Sequence, residues 1–145
     1  MLYLLDSNIL IYAKLDGMAE HKKTSRWLTD AVNDRETQII ISEASILSFL
    51  RISTNSKVFD PPLGFDDARA FVDGLLAYSN VQIFKPTAEH FVGVVELMKK
   101  HNFGGNLTMD AHLAVMAFST GAVLVTADKD FKRIPYMKIL NPLNV

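Results

Sequence analysis

The chain of 145 residues contains no cysteine, which excludes disulfide bonds and metal sites built on thiolates. No apolar run approaches the roughly 18 residues that a membrane-spanning helix needs. The first apolar run is not preceded by a basic segment, and Asp6 interrupts it early. We therefore expect neither a membrane span nor a signal peptide, and the absence of cysteine suits a reducing cytoplasm.

An excess of charge of either sign is also absent, since 15 basic and 16 acidic side chains give a formal net charge of −1. This balance differs from that of a strongly basic nucleic-acid-binding protein. Hydrophobic residues make up 49% of the sequence, enough for a substantial core. The length is ordinary for one domain, and no repeat, low-complexity segment or linker divides it. Residues 1–145 are predicted to form a single domain.

Short apolar or β-branched runs alternate with segments of helical periodicity along the chain. This alternation predicts an α/β fold in which a mostly parallel sheet of four to five strands is flanked by helices. The predicted strands are Leu2–Leu5, Thr37–Ser42, Val81–Phe84, Ala122–Thr126 and a short Met137–Leu140. The predicted helices are Ile9–Ala13, Glu20–Asn33, one from Glu43, Phe65–Tyr78, one capped by Thr87, and one from Thr108 to about Thr120.

Acidic residues follow three of these strands. Asp6 ends the first strand, Glu43 follows the second and Asp128 follows the fourth, while Asp110 lies in the first turn of the helix before the fourth strand. Each acid alone is explained as a capping, turn or helix-dipole residue. Glu43, however, shares a helical stripe with Ile46, Leu47 and Leu50 that is predicted to face inward, and Asp110 shares one with Leu113, Ala114 and Ala117. Buried carboxylates need a partner such as a cation.

Right-handed crossovers bring the carboxyl ends of parallel strands to one edge of the sheet. If the first and fourth strands are neighbours, Asp6 and Asp128 meet where the strand order reverses, the usual place for a ligand. Four converging carboxylates without histidine or cysteine select a hard cation, Mg²⁺ or Mn²⁺. Such ions activate water and neutralise phosphate charge, so phosphodiester hydrolysis is the expected chemistry.

Neighbouring polar residues are secondary candidates for this site. Ser7, Asn8 and Thr126 are predicted to hold waters or phosphate oxygens. Asp130 is either a fifth acid of the site or a turn residue, and the turn is favoured. His90 and His101 are interpreted as surface or interfacial histidines, and His112 is left out of the site because it is rotated away from the apolar stripe of its helix.

The order of these motifs resembles PIN-domain ribonucleases, specifically the VapC toxins of prokaryotic toxin–antitoxin pairs. The matching segments are Leu5-Asp6-Ser7-Asn8, Ser42-Glu43, Gly105-Asn106-Leu107 with Asp110-Ala111, Thr126 to Phe131, and Asn141-Pro142. The resemblance implies that Asp6, Glu43, Asp110 and Asp128 form an acidic quartet, with Asp6 and Asp110 as principal metal ligands and Ser7 as the small hydroxyl residue after the first acid. It also implies cleavage of structured RNA such as tRNA or rRNA, inhibition by a cognate VapB antitoxin, and a homodimer.

A dimer surface is predicted on two helices, Phe65–Tyr78 and Ile46–Ile52. These helices and their flanks carry more apolar residues than one core face needs, including Phe49, Phe59, Phe65 and Phe71. The alternative is that all of this surface belongs to the domain core.

The positions of the acids do not fit two other classes of protein. A receiver domain needs adjacent acids after the first strand and a phosphoacceptor after the third, and the third strand here ends on Lys85-Pro86. A haloacid-dehalogenase-type phosphatase needs two aspartates separated by one residue, which Asp6-Ser7-Asn8 does not supply. A catalytically inactive PIN-fold binding module and a metal-dependent DNA nuclease remain as alternatives.

Overall fold

Five parallel strands form the centre of the computed structural model, which describes residues 1–145, and their spatial order is β3-β2-β1-β4-β5. The strands are β1 (Leu2–Leu5), β2 (Gln38–Ser42), β3 (Val81–Phe84), β4 (Val123–Val125) and β5 (Ile139–Leu140). The helices are α1 (Ser7–Lys14), α2 (His21–Asn33), α3 (Glu43–Ser53), α4 (Phe65–Leu76), α5 (Ala88–His101) and α6 (Thr108–Thr120). The predicted α/β fold with a parallel sheet is confirmed. None of the helices combines the length and the apolar character required to cross a membrane.

The central strand β1 lies between β2 and β4, so the strand order reverses beside it. Leu5 is in register with Ile41 on one side and with Val125 on the other. The Asp6 amide extends the β1–β4 pairing by donating to the Val125 carbonyl at 3.0 Å. The carboxyl ends of these three strands therefore form the edge to which the acidic residues are attached.

The sheet is covered on both faces, because successive residues of a strand point to opposite sides. Leu5 packs in a core formed with α1 to α4, whereas Leu4 packs in a second core formed mainly with α6 and the turn that follows β4. Both leucines are completely buried. This two-sided burial explains why the strands read as continuous apolar runs in the sequence.

The inward face of α3 differs from the prediction. Ile46 and Phe49 are buried against α4 and the sheet, while Glu43 and Leu47 are exposed. The buried positions of α3 are 45, 46, 49 and 53, and Leu50 is partly buried against the core, so the predicted inward stripe is right at 46 and 50 and wrong at 43 and 47. Leu47 misled the prediction because it is an apolar residue on the solvent side, and the buried position assigned to Glu43 is wrong.

The predicted dimer surface on α3 and α4 also belongs largely to the core. Phe49 is fully buried, and Phe59 and Phe71 are partly buried against the first core. Phe65 is the one of the four phenylalanines that is exposed, at 80% of its surface. Leu47 of α3 is exposed as well, and five further exposed large apolar side chains lie on α5 and α6, at Phe91, Val92, Val95, Met109 and Phe118.

A buried amide ties the loops at the opposite edge of the sheet. The Asn80 side chain donates to the carbonyl oxygens of Thr37 at 3.0 Å, Asp34 at 3.3 Å and Ala31 at 3.5 Å. It thereby fixes the end of α2 and the start of β2 against the start of β3. Because Asn80 is 9% exposed, water cannot readily replace these bonds.

We expect Asn80→Ala to lower the free energy of unfolding by about 1–3 kcal/mol, the cost of leaving buried polar groups unsatisfied. Urea unfolding measures the change. Asn33→Ala is the matched control, because Asn33 also donates to a backbone carbonyl but is exposed. Equal losses in the two variants would contradict a structural role for the buried amide.

Candidate active site

Asp6 occupies the junction between β1 and α1. It is the N-cap of α1, and its Oδ1 accepts a hydrogen bond from the Ser7 amide at 2.6 Å. Its Oδ2 accepts from the Thr126 hydroxyl at 2.7 Å and from the Asn8 side-chain amide at 3.2 Å. The residue is only 8% exposed, so these donors hold its carboxylate in one orientation.

Thr126 and Asn8 connect the end of β4 to Asp6. The Thr126 hydroxyl donates to Asp6 and accepts from the Asp128 amide at 3.0 Å and from Asn8 Nδ2 at 3.3 Å. Asn8 Oδ1 accepts from the Ala127 amide at 3.3 Å. Both side chains are therefore hydrogen-bonded within the protein, where they orient Asp6 and Asp128. Their contacts with substrate remain a prediction. Ser7 Oγ lies 3.4 Å from Asp6 Oδ1.

Three further carboxylates converge beside Asp6. Asp110, Asp128 and Asp130 each place one carboxylate oxygen within 4.8 Å of the others. Asp110 comes from the first turn of α6, and Asp128 caps the turn after β4 by accepting from the Asp130 amide at 2.9 Å. Asp130 thus combines the two roles that the sequence left open, since it belongs to the turn and also reaches the acidic group. Arg133 donates to Asp130 Oδ1 at 3.0 Å.

Burial and mutual repulsion alter the ionisation of these acids. Burial, followed by the charges of Asp128, Asp6 and Asp130, raises the pKa of Asp110 to about 6. Burial also raises the pKa of Asp6, with a smaller contribution from Asp128, although the Thr126 and Ser7 hydrogen bonds oppose this rise. Such effects identify a site that lacks the positive charge needed to balance it.

The donor set fits a hard divalent cation. All ligand atoms offered here are carboxylate oxygens, which suit Mg²⁺ or Mn²⁺, and the three oxygens are close enough to contact one ion. The buried Asp6 carboxylate lies at the same edge of the sheet, where its charge raises the pKa of Asp110. We describe Asp6, Asp110, Asp128 and Asp130 together as the acidic site.

Glu43 lies on a different element and, like Asp6, is not in the group of three converging carboxylate oxygens. It follows Ser42, the residue after Ile41, whose partner across the β1–β2 pairing is Leu5, the residue before Asp6. Its exposed side chain lines a cavity of about 380 Å³ between α3, α5 and the first turn of α6, together with Leu47, Phe91 and Met109. That cavity is also lined by Thr108 and Met109, which directly precede Asp110, but by none of the four aspartates.

A pair of histidines was missed by sequence reasoning. His112 Nε2 lies 2.6 Å from Ser42 Oγ, and His112 Nδ1 lies 2.7 Å from His90 Nε2. His90 is 7% exposed, which rules out the surface alternative of its predicted surface or interfacial position. The two histidines are separated by 22 residues in the sequence, and no local spacing could have paired them.

Comparison with known proteins places this geometry in a family. The PIN domain family matches residues 3–136. Ribonuclease VapC33 of Mycobacterium tuberculosis is 32% identical over 138 residues, which cover 95% of this chain and 96% of that protein. The chain belongs to the VapC family of PIN domains.

Solved structures of VapC-family proteins share the fold. The structure of VapBC2 from Rickettsia felis bound to a promoter DNA fragment superposes with a TM-score of 0.71 at 24% identity, covering 97% of this chain and 98% of that one. Mycobacterium tuberculosis VapC20, described as a sarcin-ricin loop cleaving toxin, superposes with a TM-score of 0.73 at 15% identity, covering 96% and 99%. The family resemblance expected from the sequence is confirmed.

The raised pKa of Asp110 predicts how metal-free stability depends on pH. Asp110 titrates at about 6 in the folded protein, above its ordinary value of 3.8, so its ionisation disfavours folding. This penalty is absent below about pH 4, grows between about pH 4 and 6, and is constant above that range. In EDTA at neutral pH we expect Asp110→Asn to be at least as stable as the wild type, with the advantage shrinking toward pH 4 in thermal or urea unfolding.

Adding Mn²⁺ should reverse this order. Wild type gains about 2.7 kcal/mol at a concentration 100 times the dissociation constant, and the variant loses most of that gain. Asp66→Asn is the matched control, because Asp66 is an exposed first-turn acid of α4 and should lose only about 0.3–1 kcal/mol, with or without metal. If Asp110→Asn behaved like Asp66→Asn, Asp110 would be a helix-dipole partner and not a ligand.

Proposed function

We propose that this protein is an Mg²⁺- or Mn²⁺-dependent endoribonuclease and the toxin of a type II toxin–antitoxin pair. The observation that carries the proposal is the convergence of Asp110, Asp128 and Asp130 beside the buried Asp6, in a chain of the VapC family. Relatives that match over nearly the whole chain bear the name ribonuclease. The expected substrate is structured RNA of the tRNA or rRNA class in the cytoplasm, as the family resemblance implies.

The protein's own residues prepare the acidic site for a phosphodiester. Thr126, Asn8 and the Ser7 amide fix the Asp6 carboxylate, so it needs no reorganisation when a cation binds. Asp110, Asp128 and Asp130 supply negative charge from a second and a third segment. Glu43 is proposed to add a carboxylate from the start of α3, as the family resemblance implies. A bound divalent ion would supply a water of lowered pKa and positive charge against the phosphate. Without that charge the cluster would repel the RNA backbone.

The proposed catalytic and metal-binding set is Asp6, Glu43, Asp110 and Asp128, with Asp130 added because its carboxylate lies close to those of Asp110 and Asp128. Ser7 remains the candidate for a substrate contact, since its hydroxyl makes only one long hydrogen bond, to Asp6. The binding-module alternative is disfavoured because all the acids are present. The DNA nuclease alternative is disfavoured because the matching relatives are named ribonucleases.

Cleavage should require Mg²⁺ or Mn²⁺ and should leave a 5′-phosphate and a 3′-hydroxyl, because the proposed nucleophile is water and not the ribose 2′-hydroxyl. End-group analysis of a structured RNA substrate and of the same sequence as DNA measures both points. Asp110→Asn should lose activity in Mn²⁺, while Asp66→Asn keeps it. A 2′,3′-cyclic phosphate, cleavage that continues in EDTA, or preferential cleavage of the DNA would contradict the proposal.

Two partners belong to the proposal. A cognate VapB-type antitoxin is supported by the VapBC complexes among the structures that share this fold. A homodimer is supported by a group of exposed apolar side chains on three neighbouring helices. Leu47 of α3, Phe91 of α5 and Met109 of α6 line one cavity, at exposures of 60%, 63% and 41%. Exposed apolar patches of this kind mark association surfaces.

We expect Phe91→Glu to convert the protein to a monomer in sedimentation velocity experiments at concentrations on the order of tens of micromolar. Phe65→Glu is the control, because Phe65 is more exposed but lies on α4, outside this group. It should remain dimeric. A wild-type monomer, or a dimer that is disrupted only by Phe65→Glu, would show that the α3–α5–α6 surface does not mediate association.

A further inference from the structure

Three side chains from three different elements form a continuous hydrogen-bonded chain, and two of them, Ser42 and His112, line the same cavity as Glu43. Ser42 ends β2 and is the N-cap of α3, His112 lies on α6, and His90 lies on α5. The two distances, 2.6 Å from Ser42 Oγ to His112 Nε2 and 2.7 Å from His112 Nδ1 to His90 Nε2, are short. Ser42 and His90 are buried, at 1% and 7% exposure.

One arrangement of hydrogen atoms satisfies both hydrogen bonds of this chain at once. A neutral imidazole has one donor and one acceptor nitrogen. If the Ser42 hydroxyl donates to His112 Nε2, then His112 Nδ1–H donates to His90 Nε2. Ser42 Oγ remains free to accept the Ala44 amide, which it does at 3.2 Å. Burial lowers the pKa of both histidines, which favours these neutral forms.

The position of this chain links the two helices that carry acids. Ser42 directly precedes Glu43 at the start of α3, and His112 is two residues after Asp110 in the first turns of α6. Between the residues of these two segments, Ser42–His112 is the one hydrogen bond. His112 is itself held from the other side by His90 of α5, so its ring is fixed at both nitrogens.

We propose that His112 is a positioning residue: through Ser42 it fixes the first turn of α3 and so sets where Glu43 stands relative to the acids of α6 and β4. The inference rests on the proposed function, since it concerns the same reaction. Without the bond to His112, the Ser42 hydroxyl that caps α3 would lose one of its two hydrogen-bond partners, and Glu43, whose carboxylate makes no hydrogen bond of its own, would lose the fixed helix turn that positions it. Residues that orient a ligand in this way commonly contribute about 10–100-fold to activity or metal affinity.

Two substitutions at position 112 separate the two bonds. The amide of His112→Gln reaches approximately the place of Nε2, so it can still contact Ser42. The amide of His112→Asn reaches approximately the place of Nδ1, so it can contact only His90. We expect kcat for RNA cleavage in Mn²⁺ to fall about 10–100-fold in His112→Asn and much less in His112→Gln. His101→Asn, at the far end of α5, is the control and should leave kcat unchanged.

A double-mutant cycle with Glu43→Gln tests whether His112 acts through Glu43. If it does, His112→Asn lowers kcat in the wild-type background and causes little further loss in the Glu43→Gln background. A general weakening of the fold would instead lower the rate by the same factor in both backgrounds and equally in His112→Asn and His112→Gln. Either of those results overturns the proposal.

Amide hydrogen exchange in metal-free protein gives a readout independent of activity. We expect the Ala44 amide, which Ser42 caps, to exchange faster in His112→Asn than in wild type and at a near wild-type rate in His112→Gln. Unchanged exchange in His112→Asn overturns the positioning role whether or not the protein cleaves RNA. Wild-type protein that shows the expected exchange pattern but no metal-dependent cleavage would overturn the proposed function and leave the structural link intact.

Discussion

Repulsion between carboxylates is the constraint on which the rest of this structure depends. Asp6, Asp110, Asp128 and Asp130 share one edge of the sheet, and burial and proximity raise the pKa of Asp110 to about 6. Like charges that are brought together lower the stability of the folded protein unless another interaction compensates for their repulsion. Hydrogen bonds to Asp6 and the ion pair between Arg133 and Asp130 offset part of this repulsion. A bound cation would offset the rest. The site is thus less stable alone than when a divalent ion occupies it.

The parallel sheet makes this arrangement possible. β1 and β4 are neighbours, so Asp6 and Asp128 follow adjacent strands and Thr126 can bond to both. The apolar residues of β1 fix that geometry from both faces of the sheet, since Leu4 and Leu5 are completely buried in opposite cores. Strand pairing and packing therefore fix the positions of Asp6 and Thr126. The short turn after β4 carries Asp130 and is capped by Asp128.

Much of this arrangement could be predicted from the sequence, because apolar runs and the acids that end them are local signals. The bounds of Leu2–Leu5 and Val81–Phe84 agree with the structure, and the edge positions of Asp6, Asp110 and Asp128 followed from strand and helix order. The orientation of Glu43 could not be predicted, because Leu47 is an apolar residue on the exposed face of α3. The Ser42–His112–His90 chain could not be predicted either, since it joins segments 70 and 22 residues apart and depends on tertiary packing.

The most direct test of this account is anomalous diffraction from crystals of the wild-type protein soaked in Mn²⁺. The account predicts an anomalous peak at the acidic site, with carboxylate oxygens of Asp110, Asp128 or Asp130 and of Asp6 at about 2.0–2.2 Å, the range typical of small divalent ions. The peak should be lost in Asp110→Asn crystals soaked in the same way. Manganese bound elsewhere, for example at the His90–His112 pair, with no peak at the acidic site would contradict the account.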